Sequence, residues 1–115
     1  MNSPSRAPNF TGTWQFTADS VFNLTFTGSD ALQQSGNSLT GQIALSGSPC
    51  ATSASLDGAA TGTNVTFQLH LNGQAVNFTG KADAAFSSAS GSYTAPSGGC
   101  LNGDRGTWTA TKVSS

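Results

Sequence analysis

The tripeptide Gly-Thr-Trp occurs near both ends of this 115-residue chain, at residues 12–14 and again at residues 106–108. Around each copy apolar and polar residues alternate, which is the period of a β-strand with one buried face. We therefore expect Trp14 and Trp108 to face a common core from the first and last strands. Strands matched in this way allow a sheet to close on itself, so the two copies predict a barrel in which the first and last strands pair.

The composition agrees with an all-β fold. Charged residues make up 8% of the chain and hydrophobic residues 36%, and Glu is absent. A disordered chain combines low hydrophobicity with high charge, and this chain has very little charge. Thr favours strands, whereas Glu and Lys favour helices. We expect one domain over residues 10–115, after a flexible leader at residues 1–9 that contains two prolines.

Alternating segments separated by Gly-rich turns predict eight strands, joined mainly by local connections. Seven of the segments are 11–18, 39–46, 53–60, 64–71, 76–82, 86–94 and 105–113. The remaining strand, second in the chain, is either 21–27 or 31–34. The dipeptide Asn72-Gly73 is a strong signal for a tight hairpin between the fifth and sixth strands. The expected architecture is an eight-stranded antiparallel up-and-down barrel.

The two cysteines, Cys50 and Cys100, lie in turn-like sequences after the third and seventh strands. Two loop cysteines in a small domain with few charges favour a disulfide over two free thiols. In an up-and-down barrel the connections after the first, third, fifth and seventh strands share one end. We therefore expect one disulfide that spans this end, worth about 4 kcal/mol in the chain-entropy description.

Residues that usually carry catalysis are few and isolated. The only histidine, His70, alternates with the apolar residues of its strand and is expected to face solvent. The aspartates are expected mostly at turns or strand ends, where Asp bonds to the backbone; they are Asp19, Asp30, Asp57, Asp83 and Asp104. No two are placed as a catalytic pair, and no His or Cys cluster has metal-ligand spacing. We expect no enzyme activity, no cofactor and no metal site.

The charge pattern also limits the partners. The formal net charge is −1, with the basic residues scattered singly, so we expect no nucleic-acid partner. No apolar run approaches the roughly 20 residues of a membrane helix. Residues 1–9 do not resemble a signal peptide, although the cysteines and the scarcity of charge favour a location outside the cytoplasm. A small apolar ligand or another protein remains as the expected partner.

The interior of an eight-stranded barrel holds either packed side chains or one small ligand. Small residues are expected to face inward on two strands, at Ala54, Gly58, Ala89 and Gly91. They leave room for a ligand, or large residues fill the space and the core is solid; the sequence leaves both open. The candidate ligand-binding residues are Phe22, Leu24, Phe26, Leu45, Leu71 and Tyr93. If 21–27 is a loop, its three apolar residues form a lid over the disulfide-bridged end.

The first strand resembles known barrel families. Asn9-Phe10-Thr11-Gly12-Thr13-Trp14 is similar to the opening motif of lipocalins and fatty-acid-binding proteins, and the Thr-Gly strands with Trp108 resemble avidins. This implies a calycin-type barrel. In lipocalins a basic residue near the last strand covers the first Trp; the only arginine within the expected barrel, Arg105, stands at the very start of that strand. The biotin-contacting pattern of avidins is not kept, with Phe16 among the replacements, so biotin binding is not implied.

Most of the chain resembles small secreted or lipid-anchored bacterial barrels of unknown function. The resemblance rests on residues 12–14, Gln34-Ser35-Gly36, Thr40-Gly41, Cys50 and Gly98-Gly99-Cys100. It implies a secreted, periplasmic or outer-surface protein, with a lipid anchor on the precursor as one alternative. It also implies that the second strand is 31–34, which leaves 21–27 as a loop.

These observations lead to one functional expectation and two alternatives. The first is an extracytoplasmic, non-enzymatic barrel that binds a small apolar ligand at the disulfide-bridged end. The second is a protein-binding module, such as a periplasmic protease inhibitor that acts through residues 1–9. The third is a purely structural surface domain.

Overall fold

The computed structural model describes residues 9–22, 25–47, 52–71, 73–98 and 102–114. In this part of the chain all regular secondary structure is β-strand. The strands are β1 (Gly12–Ser20), β2 (Thr25–Ser35), β3 (Ser38–Ser46), β4 (Ser53–Thr61), β5 (Asn64–Leu71), β6 (Gln74–Ala82), β7 (Ser88–Thr94) and β8 (Arg105–Ser114). The predicted all-β class and strand number are confirmed.

The strands form a closed barrel in which each one pairs antiparallel with the next and β1 pairs with β8. The register of the closing pair sets Ala18 opposite Trp108 and Trp14 opposite Lys112. Both indole rings are buried in the interior. The two Gly-Thr-Trp strands therefore close the barrel as the sequence predicts.

The second strand differs from both sequence alternatives, because β2 runs without a break across 31–34 and also includes the last three residues of 21–27. Its inward positions are Phe26, Gly28, Asp30 and Leu32. A glycine and an aspartate in the middle of this series hide the apolar alternation, so the sequence showed only its two ends. The loop implied for 21–27 is therefore wrong from Thr25 onward, and Phe26 is a strand residue.

The hairpin predicted at Asn72-Gly73 is confirmed by the pairing of its ends. Leu71 lies opposite Gln74, which leaves a two-residue connection between β5 and β6. Asn72 itself lies outside the described residues.

A layer of four aromatic rings crosses the middle of the barrel, formed by Phe16, Phe67, Phe78 and Trp108. The rings of Phe67 and Phe78 stack with centroids 4.8 Å apart. Phe16 meets Phe78 edge-on at 5.5 Å, and Trp108 meets Phe67 edge-on at 5.4 Å. The layer divides the interior into two halves.

Large side chains fill the space that small inward residues were expected to leave. A Cβ atom at Gly80 would collide with the indole of Trp108, and one at Gly58 would lie 2.6 Å from the Cβ of Phe67. Gly91 pairs with Gly80 across two strands, so the indole rests against a surface without side chains. Side chains therefore fill most of the interior, and small cavities remain on either side of the aromatic layer.

The two ends of the barrel carry different connections. We call the end with the connections after β1, β3, β5 and β7 the upper end, and the opposite one the lower end. Cys50 and Cys100 belong to upper-end connections but lie outside the described residues, so their disulfide stays a prediction. Residues 1–8 of the predicted leader also lie outside them. The described part of the chain has no helix long and apolar enough to cross a membrane.

Candidate functional site

A small cavity of about 30 Å³ lies between the aromatic layer and the upper end. We call it the upper chamber. Its walls include Phe26 of β2, Leu45 of β3, Leu71 of β5 and Tyr93 of β7. The structure therefore brings together four of the six predicted ligand-binding residues, from four separate strands.

Of the other two predicted residues, Phe22 does not line this chamber. Phe22 follows β1 in an upper-end turn, and 61% of its surface is exposed. The neighbouring Val21 is also an exposed large apolar residue, with 53% of its surface accessible. Leu24 lies outside the described residues. The proposed lid of Phe22, Leu24 and Phe26 does not form as a unit, because Phe26 points inward as part of the chamber wall.

A buried polar cluster fixes one side of the upper chamber. The Asp104 carboxylate accepts hydrogen bonds from the Ser20 hydroxyl and, at 3.1 Å, from the Tyr93 hydroxyl. It also accepts one from the backbone N–H of Arg105 at 2.8 Å. Burial raises the pKa of Tyr93, and the neighbouring Asp104 charge raises it further. The phenol is therefore a fixed, neutral donor at the chamber wall.

Sequence reasoning missed this cluster because it depends on the register of β1 and β8. Asp104 is at a strand end, as expected for an aspartate, but it is almost completely buried. The register that sets Ser20 opposite Gly106 carries the Ser20 hydroxyl to the carboxylate. A polar residue at the last inward position of β1 was the only available signal.

A second cavity of about 30 Å³, the lower chamber, lies between the aromatic layer and the lower end. Its wall contains one ionisable side chain among the described residues, that of Asp30. Asp30 is only 6% exposed, and its Oδ1 atom has no hydrogen-bond partner in the described part of the chain. Burial raises the pKa of this carboxyl to about 7. Asp30 is an exception to the expectation that the aspartates lie mostly at turns or strand ends, because β2 continues through it.

Two phenylalanines close the lower end. The ring of Phe10, which precedes β1, meets Phe86 of the β6–β7 turn edge-on at 5.0 Å. Phe10 is held in place by two hydrogen bonds. Its N–H donates to Gln34 Oε1 at 3.0 Å, and its carbonyl accepts from Trp14 Nε1 at 2.8 Å. Phe86 has a φ of 56°, a value that large side chains rarely adopt. Its backbone is therefore strained in the conformation that closes the lower end.

The basic residue over the first Trp is Lys112. Its ammonium lies 5.5 Å from the centroid of the Trp14 ring and donates to the Asn9 carbonyl at 2.7 Å. Arg105 is exposed and far along β8 from this position. A register shift between Thr13 and Trp14 brings Lys112 opposite the indole, which the sequence does not reveal.

The outer surface offers little chemistry. His70 faces solvent as predicted and lies 2.8 Å from Asp57 on the neighbouring strand. Among the described residues no group of three or more His, Cys, Asp or Glu side chains is arranged to hold a metal ion.

Comparison with known proteins shows the fold. No family model and no curated protein matches the chain. Similar solved structures include the redesigned β-barrel mFAP1 bound to DFHBI, with 19% identity and a TM-score of 0.69 over 90% of this chain and 94% of the other. The redesigned barrel b11L5F_LGL has 17% identity and a TM-score of 0.71 over 90% of both chains. EF1p2_mFAP2b bound to DFHBI has 15% identity and a TM-score of 0.66 over 90% of this chain and 93% of the other. The chain therefore has the closed eight-stranded barrel fold of these proteins.

Proposed function

We propose that this protein is a non-enzymatic barrel that binds a small apolar ligand through the upper chamber. One observation carries the proposal: Phe26, Leu45, Leu71 and Tyr93 come from four strands and meet in one apolar cavity. Val21 and Phe22 expose large apolar side chains at the same end of the barrel. Exposed apolar groups beside an apolar cavity are typical of ligand entrances.

The fold supports this proposal. Two of the similar barrels are described as bound to DFHBI, a small ligand. A closed barrel of eight strands is wide enough to hold one such molecule when its side chains leave room.

The size of the chamber sets a condition on binding. A cavity of about 30 Å³ holds little more than one water-sized group, whereas pockets for drug-sized ligands measure roughly 300–1,000 Å³. A larger ligand must therefore displace side chains. Leu45 is only half-buried and can move outward, whereas Tyr93 is fixed through its bond to Asp104. We infer that the chamber opens on the Leu45 side.

The cellular location belongs to the same proposal. We place the protein outside the cytoplasm, with a Cys50–Cys100 disulfide across the upper end, on the strength of its two loop cysteines and its few charges. The geometry of the described residues gives no support to the protease-inhibitor or surface-domain alternatives.

Retinol binding, followed by quenching of tryptophan fluorescence, tests the proposed function. Leu45→Ala enlarges the chamber and should strengthen binding several-fold. Ala18→Leu fills it and should weaken binding by at least tenfold. Val113→Ala removes an exposed apolar side chain from β8 and serves as the matched control.

The proposal is supported if retinol quenches the wild-type protein saturably and the three variants follow this order. It is overturned if wild-type protein and Leu45→Ala both show no saturable quenching. It is equally overturned if Ala18→Leu, folded by circular dichroism, binds as tightly as wild type.

A further inference from the structure

We propose that the lower chamber is a second binding site, which takes a small ammonium group between the Asp30 carboxylate and the surrounding aromatic rings. This site lies on the opposite side of the aromatic layer from the upper chamber. It does not depend on the proposed apolar ligand, and the two can be tested separately.

The Asp30 carboxyl is the first feature of the chamber that points to a ligand. Nearly all buried polar side-chain atoms in proteins have a hydrogen-bond partner. Asp30 is buried to more than nine-tenths, yet its Oδ1 has no partner in the described part of the chain. An unpaired carboxyl in an apolar wall is costly, by about 1–3 kcal/mol or more when charged. A ligand that donates hydrogen bonds to Oδ1 removes this cost.

The aromatic lining of the remaining wall is the second such feature. Five aromatic side chains line the chamber, and the others are aliphatic. The aromatic ones are Phe10, Trp14, Phe16, Phe67 and Trp108. Aromatic faces attract cations by about 2 kcal/mol or more when water is excluded. A carboxylate surrounded by aromatic rings therefore selects a cation with N–H donors over an anion or a neutral apolar molecule.

The size of the chamber selects among cations. A volume of about 30 Å³ admits one small group, such as the ammonium end of a primary amine. A larger amine would have to displace Phe10, which is fixed by Gln34 and Trp14. Methylammonium is therefore the probe that the site should accept without rearrangement.

Among the described residues, no lysine or arginine side chain lines the lower chamber. The side chains that β1, β3, β4, β5, β7 and β8 present to the chamber are apolar. Lys112 lies 5.5 Å from the centroid of the Trp14 ring and donates to the Asn9 carbonyl, and it is not among the residues that line the chamber. Because the pKa of Asp30 is raised to about 7, the carboxyl is ionised at pH 8.5 and mostly protonated at pH 5.5.

Nuclear magnetic resonance of the two indole N–H groups provides the test. Trp14 and Trp108 both line the chamber, and their N–H groups bond to the Phe10 and Thr79 carbonyls. Methylammonium chloride at pH 8.5 should shift both signals saturably. Sodium chloride at equal ionic strength and neutral methanol should not. At pH 5.5 the affinity for methylammonium should fall at least tenfold.

Asp30→Asn tests the carboxylate itself, because the amide has nearly the same shape without the charge. It should bind methylammonium at least tenfold more weakly. Asp57→Asn removes an exposed carboxylate and should bind like wild type. The proposal is wrong if wild-type protein shows no saturable shift, if sodium chloride reproduces the shift, or if Asp30→Asn keeps the affinity. If Asp30→Asn does not fold, the wild-type comparison of methylammonium with methanol decides alone.

Discussion

At the scale of single residues, Asp30 is the side chain that the sequence placed least well. The preceding Gly28 and Ser29 are typical turn residues, and only the continuous pairing of β2 with β1 and β3 shows that its carboxyl faces inward. Burial in an apolar wall then raises its pKa to about 7. The raised pKa makes the stability of the folded protein depend on pH.

The free energy of unfolding should fall as the pH rises from about 4 to about 7 because of Asp30. In this window the folded protein still holds a proton that the unfolded chain, with an ordinary carboxyl pKa of 3.8, has released. The loss is on the order of 4 kcal/mol, since each pKa unit corresponds to about 1.4 kcal/mol. Urea unfolding at pH 4, 5.5 and 7.5 measures it. Asp30→Asn should lack this dependence and Asp57→Asn should keep it; equal pH dependence in wild type and Asp30→Asn would contradict the burial of a protonated Asp30.

The contact of Lys112 with Trp14 also depends on the register between β1 and β8. Lys112→Met keeps the length of the side chain but removes its contact with the Trp14 ring and its hydrogen bond to Asn9. Unfolding by urea should show a loss of about 1–2 kcal/mol. Lys81→Met, on the exposed face of β6, should change stability by less than about 0.5 kcal/mol. Equal effects of the two variants would show that Lys112 does not stabilise the barrel closure.

At the scale of elements, seven strands could be located from alternation alone, and their predicted bounds agree with the structure to within about two residues at each end. The exception, β2, has Gly28 and Asp30 at inward positions where the pattern needs apolar residues. Ile43 of β3 covers Gly28 and supplies the missing bulk from the next strand. Contacts between strands of this kind cannot be deduced from one strand's sequence.

At the β6–β7 pair, too, a large side chain from another strand fills the space beside a glycine. Gly80→Ala places a methyl group against the indole of Trp108, whose N–H donates to the Thr79 carbonyl at 3.0 Å. Overpacking of this kind costs about 1–3 kcal/mol. Thermal or urea unfolding should show the loss together with a shift of the Trp108 fluorescence. Ser90→Ala, on the exposed face of β7, is the control; a stable Gly80→Ala with unchanged fluorescence would mean that the indole does not rest on Gly80.

At the scale of the whole molecule, the sequence was sufficient for the barrel and its closure but not for the contents of the barrel. Matched terminal strands and short turns determine the topology. Whether the interior is hollow depends on which large side chain lies over each small one, and that requires the register of all eight strands. For the same reason the sequence located the upper chamber through its large residues but missed the lower chamber.

The predicted disulfide links this topology to stability. Cys50 and Cys100 follow β3 and β7, so a bridge between them would connect opposite sides of the upper end. Intact mass and thiol titration of the unfolded protein should show no free thiol. Reduction should lower the free energy of unfolding by about 4 kcal/mol. Two free thiols in protein purified under oxidising conditions would contradict the bridge.

Nuclear Overhauser effects between bound retinol and protein methyl groups test directly whether an apolar ligand enters the upper chamber. We expect contacts from retinol to the methyl groups of Leu45 and Leu71, which line the chamber, and none to those of exposed Val113. Bound retinol that contacts Val113 but neither leucine would contradict this expectation.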